Sequence, residues 1–286
     1  MPIRAWPAAF DAKHMAVAGG TQYVRRGGEG PAVLLLHGFG DTGDMWVPLA
    51  EALVKDHIVI VPDLRGMGLS SHPEGGYEKV AQARDLAAIL DQLGVKDLAL
   101  VTHDIGNMVG YAFAALFPQR VTRWIVMDAP LPGIGHWDEQ LKNPKVWHFN
   151  FRGPDVERLV AGRERILLDR FYNELSANPS RIDEETREHY AALYALPYAV
   201  HNALGGQFAA FAQDAIDNQP LVAKGKLKMP VLAIGGDHSY GAQLATEVGF
   251  AADNVRAAVI KDSGHWIMEE QPEQAVAIIL AFLKGE

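Results

Sequence analysis

The sequence predicts an α/β fold: a mostly parallel central sheet flanked by helices, with a helical region inserted into it. Three observations lead there. Strand-length apolar runs alternate with helix-length amphipathic segments, the order that a parallel sheet with crossover helices requires. One run, Leu100-Val101-Thr102-His103-Asp104-Ile105-Gly106, passes from a strand pattern to a helix pattern across a charged residue. The alternation stops after Asp128 and returns near Pro230 with Val231-Leu232-Ala233-Ile234-Gly235.

Lys13–Val17 and Thr21–Arg25 around Gly19-Gly20 read as a β-hairpin. Ala32-Val33-Leu34-Leu35-Leu36-His37 is continuously apolar up to its last residue, as in a central strand covered on both faces. It runs into the loop Gly38-Phe39-Gly40-Asp41-Thr42-Gly43. Met45–Lys55 reads as helix, His57–Val61 as strand and Pro62–Ser70 as loop. Tyr77–Leu93 has helical spacing, Leu98–Thr102 is a strand, Ile105–Phe117 a helix and Trp124–Met127 a strand. Gly135 to Lys224 is rich in aromatics, His and Arg and reads as several helices without a strand. After Val231–Gly235, a strand at Arg256–Ile260 and a helix at Glu273–Lys284 complete the pattern.

A chain of 286 residues is long for one compact domain and short for two independent ones. The expected organisation is one core in two parts, residues 1–133 and 225–286, around a helical cap at 134–224. The formal charge of −9 argues against nucleic acid, because phosphate binding needs a basic face, and is read as solubility. With no Cys, disulfides, thiolate catalysis and Cys-based zinc sites are excluded. The start Met1-Pro2-Ile3-Arg4-Ala5-Trp6-Pro7 has no uninterrupted apolar stretch, so no signal peptide is expected. No run reaches membrane-spanning length. A cytoplasmic protein without a membrane partner is the expectation; a homodimer stays open.

The stretch around Asp104 has the layout of a nucleophile elbow, in which a sharp strand-to-helix turn holds one side chain out over the sheet. The usual elbow residue is Ser. A carboxylate attacks saturated carbon well, whereas an alkoxide suits acyl carbon, so the chemistry moves toward opening an epoxide or displacing a halide. Asp262-Ser263-Gly264-His265-Trp266 follows the last predicted strand, and the topology would bring His265 to Asp104 as its base. Asp128 and Asp237, each after a strand, are the candidates to orient His265. The backbone N–H groups of Phe39 and Ile105 are the expected oxyanion donors. Asp63 and Arg65 read as loop-fixing, and His103 as structural. The His residues show no metal-ligand spacing, and no metal or other cofactor is expected.

His37-Gly38-Phe39-Gly40, Asp63-Leu64-Arg65-Gly66-Met67-Gly68-Leu69-Ser70, His103-Asp104-Ile105-Gly106, Met127-Asp128-Ala129-Pro130 and Gly264-His265-Trp266 together resemble the α/β-hydrolase fold superfamily. Within it they are similar to the branch of bacterial epoxide hydrolases and haloacetate dehalogenases. The resemblance implies that Asp104 forms an ester with a substrate carbon and that His265 then activates water to hydrolyse it. It favours Asp128 as the acid, since the alternative position falls on His238, one residue after Asp237.

Epoxide opening needs donors for the departing oxygen. In the resembled family these are two Tyr, or one His with one Tyr. Val146-Trp147-His148-Phe149-Asn150-Phe151 is similar to the His version, which makes His148 a candidate. The second Tyr is expected where this chain has Phe208; Tyr194, Tyr198 and His201 are alternatives. Trp147, Phe149, Tyr198, His201, Phe208 and Trp266 are expected around the substrate. Phe39 and Ile105 replace the halide-binding Asn and Trp of haloalkane dehalogenases. Neither Ile105 nor Asn107 supplies the cation that the haloacetate branch uses. The reading is an epoxide hydrolase acting on an apolar small molecule with water as co-substrate. The alternatives are a dehalogenase with the same machinery and a ligand-binding receptor with little turnover.

Overall fold

The computed structural model describes residues 5–285; Met1 to Arg4, the beginning of the start read above, and Glu286 lie outside the described residues. Its strands are β1 (Phe10–Val17), β2 (Gly20–Gly27), β3 (Ala32–Leu36), β4 (Ile58–Pro62), β5 (Leu98–His103), β6 (Val121–Met127), β7 (Val231–Gly236) and β8 (Val255–Ile260). They form one sheet in the order β1-β2-β4-β3-β5-β6-β7-β8. The β1–β2 and β2–β4 pairs are antiparallel and the other five are parallel. This is the α/β-hydrolase fold expected from the sequence.

Period-two alternation within the central strands builds two apolar layers. Val33, Leu35, Val59, Val61, Val101 and Ile125 face one layer, which is covered by α1 (Val47–Leu53) and α11 (Pro272–Lys284). Leu34, Leu36, Ile60, Leu100, Trp124 and Val126 face the other, covered by α2 (Lys79–Gln92) and α3 (Ile105–Leu116). β1 and β8 are the edges, and exposed Asp11, Lys13 and Arg256 keep them from pairing with another sheet.

Apart from one isolated β-bridge, Leu227 to Ala252, the described residues between β6 and β7 form helices and turns. These are α4 (Trp137–Gln140), α5 (Pro154–Val160), α6 (Glu164–Leu175), α7 (Glu184–Tyr194), a π-helical stretch His201–Phe208 and α8 (Phe211–Ala223). Leu167, Leu168, Phe171 and Tyr172 make the buried stripe of α6. The Asp183 carboxylate caps α7 by accepting from the Thr186 N–H at 3.0 Å. Polar contacts tie this region to the loops beneath it. The Tyr172 hydroxyl donates to the Gly40 carbonyl at 2.6 Å, and the Gly40 N–H donates to the Tyr194 hydroxyl at 2.7 Å. Buried Lys79 pairs with Asp214 at 3.1 Å.

Two local expectations change. The helix expected at Met45–Lys55 begins as a 3-10 turn, Gly43–Trp46, capped by Thr42, and becomes α-helical only at Val47, with Pro48 in its first turn. A crossover helix, α9 (Gln243–Val248), was not expected; six residues are too few to show a helical period. A further short helix, α10 (Ile267–Glu270), precedes α11. No described helix is long and apolar enough to cross a membrane.

Leu34 is fully buried at the centre of the sheet. Leu34→Ala should lower the free energy of unfolding by about 2–5 kcal/mol, measured by urea denaturation, through lost burial and the cavity left behind.

Candidate active site

β5 ends at His103 and α3 begins at Ile105, so the whole reversal falls on Asp104, which takes φ 51° and ψ −121°. A non-glycine residue holds such a conformation only where its surroundings impose it. Two glycines make the room. A Cβ on Gly38 would lie 2.3 Å from the Asp104 Cβ, and one on Gly106 would lie 2.4 Å from the Leu36 carbonyl oxygen. The Asp104 side chain consequently stands above the sheet at the N-terminus of α3, where the helix dipole favours a negative charge.

Asp104 Oδ1 accepts from the Phe39 N–H at 2.9 Å, and the Ile105 N–H also reaches the carboxylate. Burial opposes its charge. The charge of His265 and the two N–H groups outweigh burial, and its pKa falls below the ordinary value. The Phe39 turn is held by His37, whose Nδ1 faces the Gly38 carbonyl at 2.9 Å and whose Nε2 accepts from the Leu64 N–H at 2.9 Å. Asp63 and Arg65 fix the neighbouring loop through Arg25 and Asp85, at 2.8 Å and 2.7 Å.

His265 lies on the loop after β8. Its Nε2 is 3.8 Å from Asp104 Oδ2. Its Nδ1 faces Asp128 Oδ2 at 3.1 Å and the Asp128 carbonyl at 3.0 Å. Asp128, fully buried just beyond β6, is itself aimed by the N–H groups of Gly236 and Tyr240 on its Oδ1, at 3.0 Å and 3.3 Å. With Nδ1 donating to Asp128, neutral His265 keeps its lone pair on Nε2, toward Asp104. Burial opposes the imidazolium, but the Asp128 hydrogen bond and the charges of Asp104 and Asp128 prevail, and the pKa rises above that of an ordinary histidine.

A family model described as "alpha/beta hydrolase fold" matches residues 31–272. The chain belongs to the alpha/beta hydrolase family. The hydrolase is 30% identical to a protein named soluble epoxide hydrolase from Corynebacterium sp. (strain C12), over 94% of this chain and 96% of that one. It is 28% identical to one named fluoroacetate dehalogenase from Burkholderia sp., over 90% and 88%. Its structure superposes on that of wild-type Cfl2 from Burkholderia cenocepacia with a TM-score of 0.89, 30% identity and 96% coverage of each chain. Such relatives make the hydrolase an enzyme.

In the hydrolase, Asp104 stands between two spaces. A cavity of about 310 Å³ extends past Asp128, His148, Phe149 and Tyr240 toward Gln140 and Lys145. On the other side, Phe39, Phe171, Phe208 and Trp266 enclose about 20 Å³, roughly the room of one water molecule. His148, on the 3-10 turn Pro144–Asn150, borders both. Burial holds its pKa down at about 4, so the ring is neutral at pH 7.

The fold thus brings Asp104, His265, Asp128, His148, Phe39, Ile105, Phe149, Phe208 and Trp266 together. Other sequence candidates lie elsewhere. Tyr198 is 73% exposed and lies with His201, which bonds Glu157 at 2.9 Å, on an outer groove of the helical region away from Asp104. Tyr198 has a left-handed backbone, φ 66°. Trp147 packs on Phe171, but its Nε1 donates to Glu174 at 3.1 Å and Arg170 covers its other side, so it backs His148 from outside. Tyr194 buries its hydroxyl against Gly40. Asp237 is exposed and accepts from the Ser263 N–H at 3.1 Å. It gathers at the surface with His238 and Asp262, ligand atoms within 4.8 Å of one another, a grouping that sequence spacing did not foresee.

Sequence reasoning missed Tyr240 and Phe171. Tyr240 follows β7, and loops at the carboxyl ends of strands line the crevice of such sheets, which was the available signal. Phe171 had only its place on the stripe of α6.

Gly38→Ala should push Asp104 or the Phe39 turn out of place. The expected result is up to about 100-fold lower turnover with an unchanged circular dichroism spectrum. Full activity would mean that this close approach is unnecessary.

Proposed function

We propose that this hydrolase opens an epoxide to a vicinal diol through an ester on Asp104. The observation that carries the reading is the elbow carboxylate itself: Oδ1 is held by backbone N–H, while Oδ2 faces the base at 3.8 Å. In this reading Oδ2 attacks the epoxide carbon, the carbon–oxygen bond breaks, and the departing oxygen takes a hydrogen bond and proton from the donors above it. Oδ1 becomes the ester carbonyl oxygen. His265 then removes a proton from water as that water adds to the Asp104 carboxyl carbon. The Phe39 and Ile105 N–H groups hold the resulting oxyanion. Collapse frees the diol, whose oxygen recovers the proton from His265, and the water's second proton leaves the regenerated Asp104 carboxyl to restore the donor that opened the ring. Asp128 orients the imidazole and balances its charge. The balance is epoxide plus water to diol, with no cofactor.

The reading also assigns the departing oxygen's donors. His148 borders both spaces, and Tyr240 brings a phenol to the same cavity, now bonded to Gln140 at 3.1 Å. Tyr240 would supply what Phe208 lacks. Residues 134–224 act as a cap on the core halves 1–133 and 225–286. The unequal spaces around Asp104 favour an electrophilic carbon with one large substituent and nothing beyond about a methyl group on the other side. A second reading, halide displacement from a small haloacid, is favoured by the fluoroacetate dehalogenase likeness and by Lys145 on the larger cavity, a cation for a substrate carboxylate.

The two steps have opposite demands on His265. The Asp104 charge raises the His265 pKa in the free enzyme. Alkylation removes that charge, so the base becomes easier to keep neutral when it is needed. Single-turnover ester hydrolysis should fall toward acid pH with a lower apparent pKa than His265 has in the free enzyme; equal values would break this coupling.

Asp104→Ala should abolish diol formation with the fold intact. His265→Gln should trap the ester, seen as a mass equal to enzyme plus substrate. His148→Phe and Tyr240→Phe should each slow ester formation by about 100-fold or more, the scale of a lost general acid. The test panel is terminal and 1,2-disubstituted epoxides beside fluoroacetate and chloroacetate, with diol and halide both measured. Halide release without diol would select the second reading, and activity in Asp104→Ala would overturn both.

A further inference from the structure

Beside His265 lies a polar cluster to which the mechanism above gives no role. Asp41 and His103 are fully buried and Glu269 is 7% exposed. Neither Asp41 oxygen receives a hydrogen bond from a neighbouring N–H or hydroxyl, and the same holds for Glu269 Oε2; His103 Nδ1 also lacks a partner at hydrogen-bonding distance. Buried polar atoms left in this state call for an explanation. Here they face one another. The Asp41 carboxyl is within hydrogen-bonding reach of Glu269, and its Oδ2 is 3.6 Å from His103 Nδ1.

The position of the protons follows from the other end of the cluster. His103 Nε2 is 2.9 Å from the His265 carbonyl oxygen. A carbonyl only accepts, so Nε2 carries a hydrogen. The His103 ring also packs on the His265 ring, with centroids 4.5 Å apart. Burial, followed by the charge of His265, holds the His103 pKa down at about 4, so the ring is neutral and Nδ1 is a bare lone pair. A bare nitrogen facing an ionised carboxylate would be repelled. A protonated Asp41 turns the same contact into an attraction. Burial and the adjacent Glu269 carboxyl both favour that proton, because two buried carboxyl groups side by side do not both ionise.

We propose that Asp41 and Glu269 retain a shared proton, that Asp41 presents it to His103 Nδ1, and that His103, so fixed as the Nε2–H tautomer, holds the His265 backbone and ring in register with Asp104. Asp41 is then a positioning residue for the base. Its role in turnover rests on the reading of His265 given above, whereas its protonation does not. The charged and titratable groups facing the cluster are Asp104, Asp128 and His265 from the site, Glu270 from α10, and Tyr172 and Tyr190 from α6 and α7.

Nitrogen-15 NMR of the full-length wild-type protein labelled at histidine is the direct test. At pH 7, His103 should be neutral with hydrogen on Nε2. A cationic ring, or hydrogen on Nδ1, would overturn the proposal whether or not the enzyme opens epoxides. The kinetic test compares Asp41→Asn with Asp41→Ala, using single-turnover ester hydrolysis and thermal unfolding. An amide can donate to Nδ1 but cannot ionise, so Asp41→Asn should stay close to wild type. Asp41→Ala should lose up to about 100-fold in the hydrolysis rate with little change in KM. A fully active alanine variant, or an asparagine variant as impaired as alanine, would refute the positioning role. If Asp41→Ala does not fold, the asparagine variant and the NMR measurement decide.

Discussion

The structure depends on keeping one carboxylate charged while it is taken out of water. Desolvating a carboxylate costs several kcal/mol unless donors and countercharge replace the lost solvent. At Asp104 the countercharge is His265, and the donors are local and backbone-based: the N–H of Phe39, the N–H of Ile105 and the N-terminus of α3. Those donors converge because the chain turns sharply at one residue and because Gly38 and Gly106 permit two other segments to pass within contact of it. Much of what surrounds this point, from the His37 ring that pins the Phe39 turn to the Asp63 loop beneath it, preserves that convergence.

His265 belongs to the same charge balance. Against burial, the Asp128 hydrogen bond and the nearby Asp104 and Asp128 carboxylates hold its pKa above that of an ordinary histidine. Packed against it, His103 presents a neutral ring, so no second cation competes for the carboxylates. The helical region adds shape. Tyr172 and Tyr194 both bond to Gly40, so α6 and α7 are tied to the very loop that supplies the Phe39 donor. Aromatic rings from that region then set the difference between the wide and narrow sides of Asp104.

Most of the core was legible because its signals are short-range. Ala32–Leu36 and Leu98–Val101 are apolar throughout since both faces are covered, and Val231–Gly236 shows the same pattern. The elbow at Asp104 and the late Gly264-His265-Trp266 announce themselves by local residue type. The helical region was harder. Its helices were foreseen as a group, but which residues turn inward was not: Tyr198 and His201 face outward, and Trp147 stands behind His148. Helical period tells which residues share a stripe, and it is silent on which stripe meets the cavity. Tyr240 escaped notice because a loop residue has no period at all.

The chain by itself determined the α/β order, the carboxylate at the turn and the strand ends from which its partners come. These follow from backbone preference and apolar periodicity, which act over a few residues. Only the tertiary structure decided that Asp128 and not Asp237 meets His265, that Asp41 and Glu269 share a pocket, and that the space beside Asp104 is wide on one side and narrow on the other. Those are contacts between residues far apart in sequence, and their geometry is set by how the packed layers close on one another.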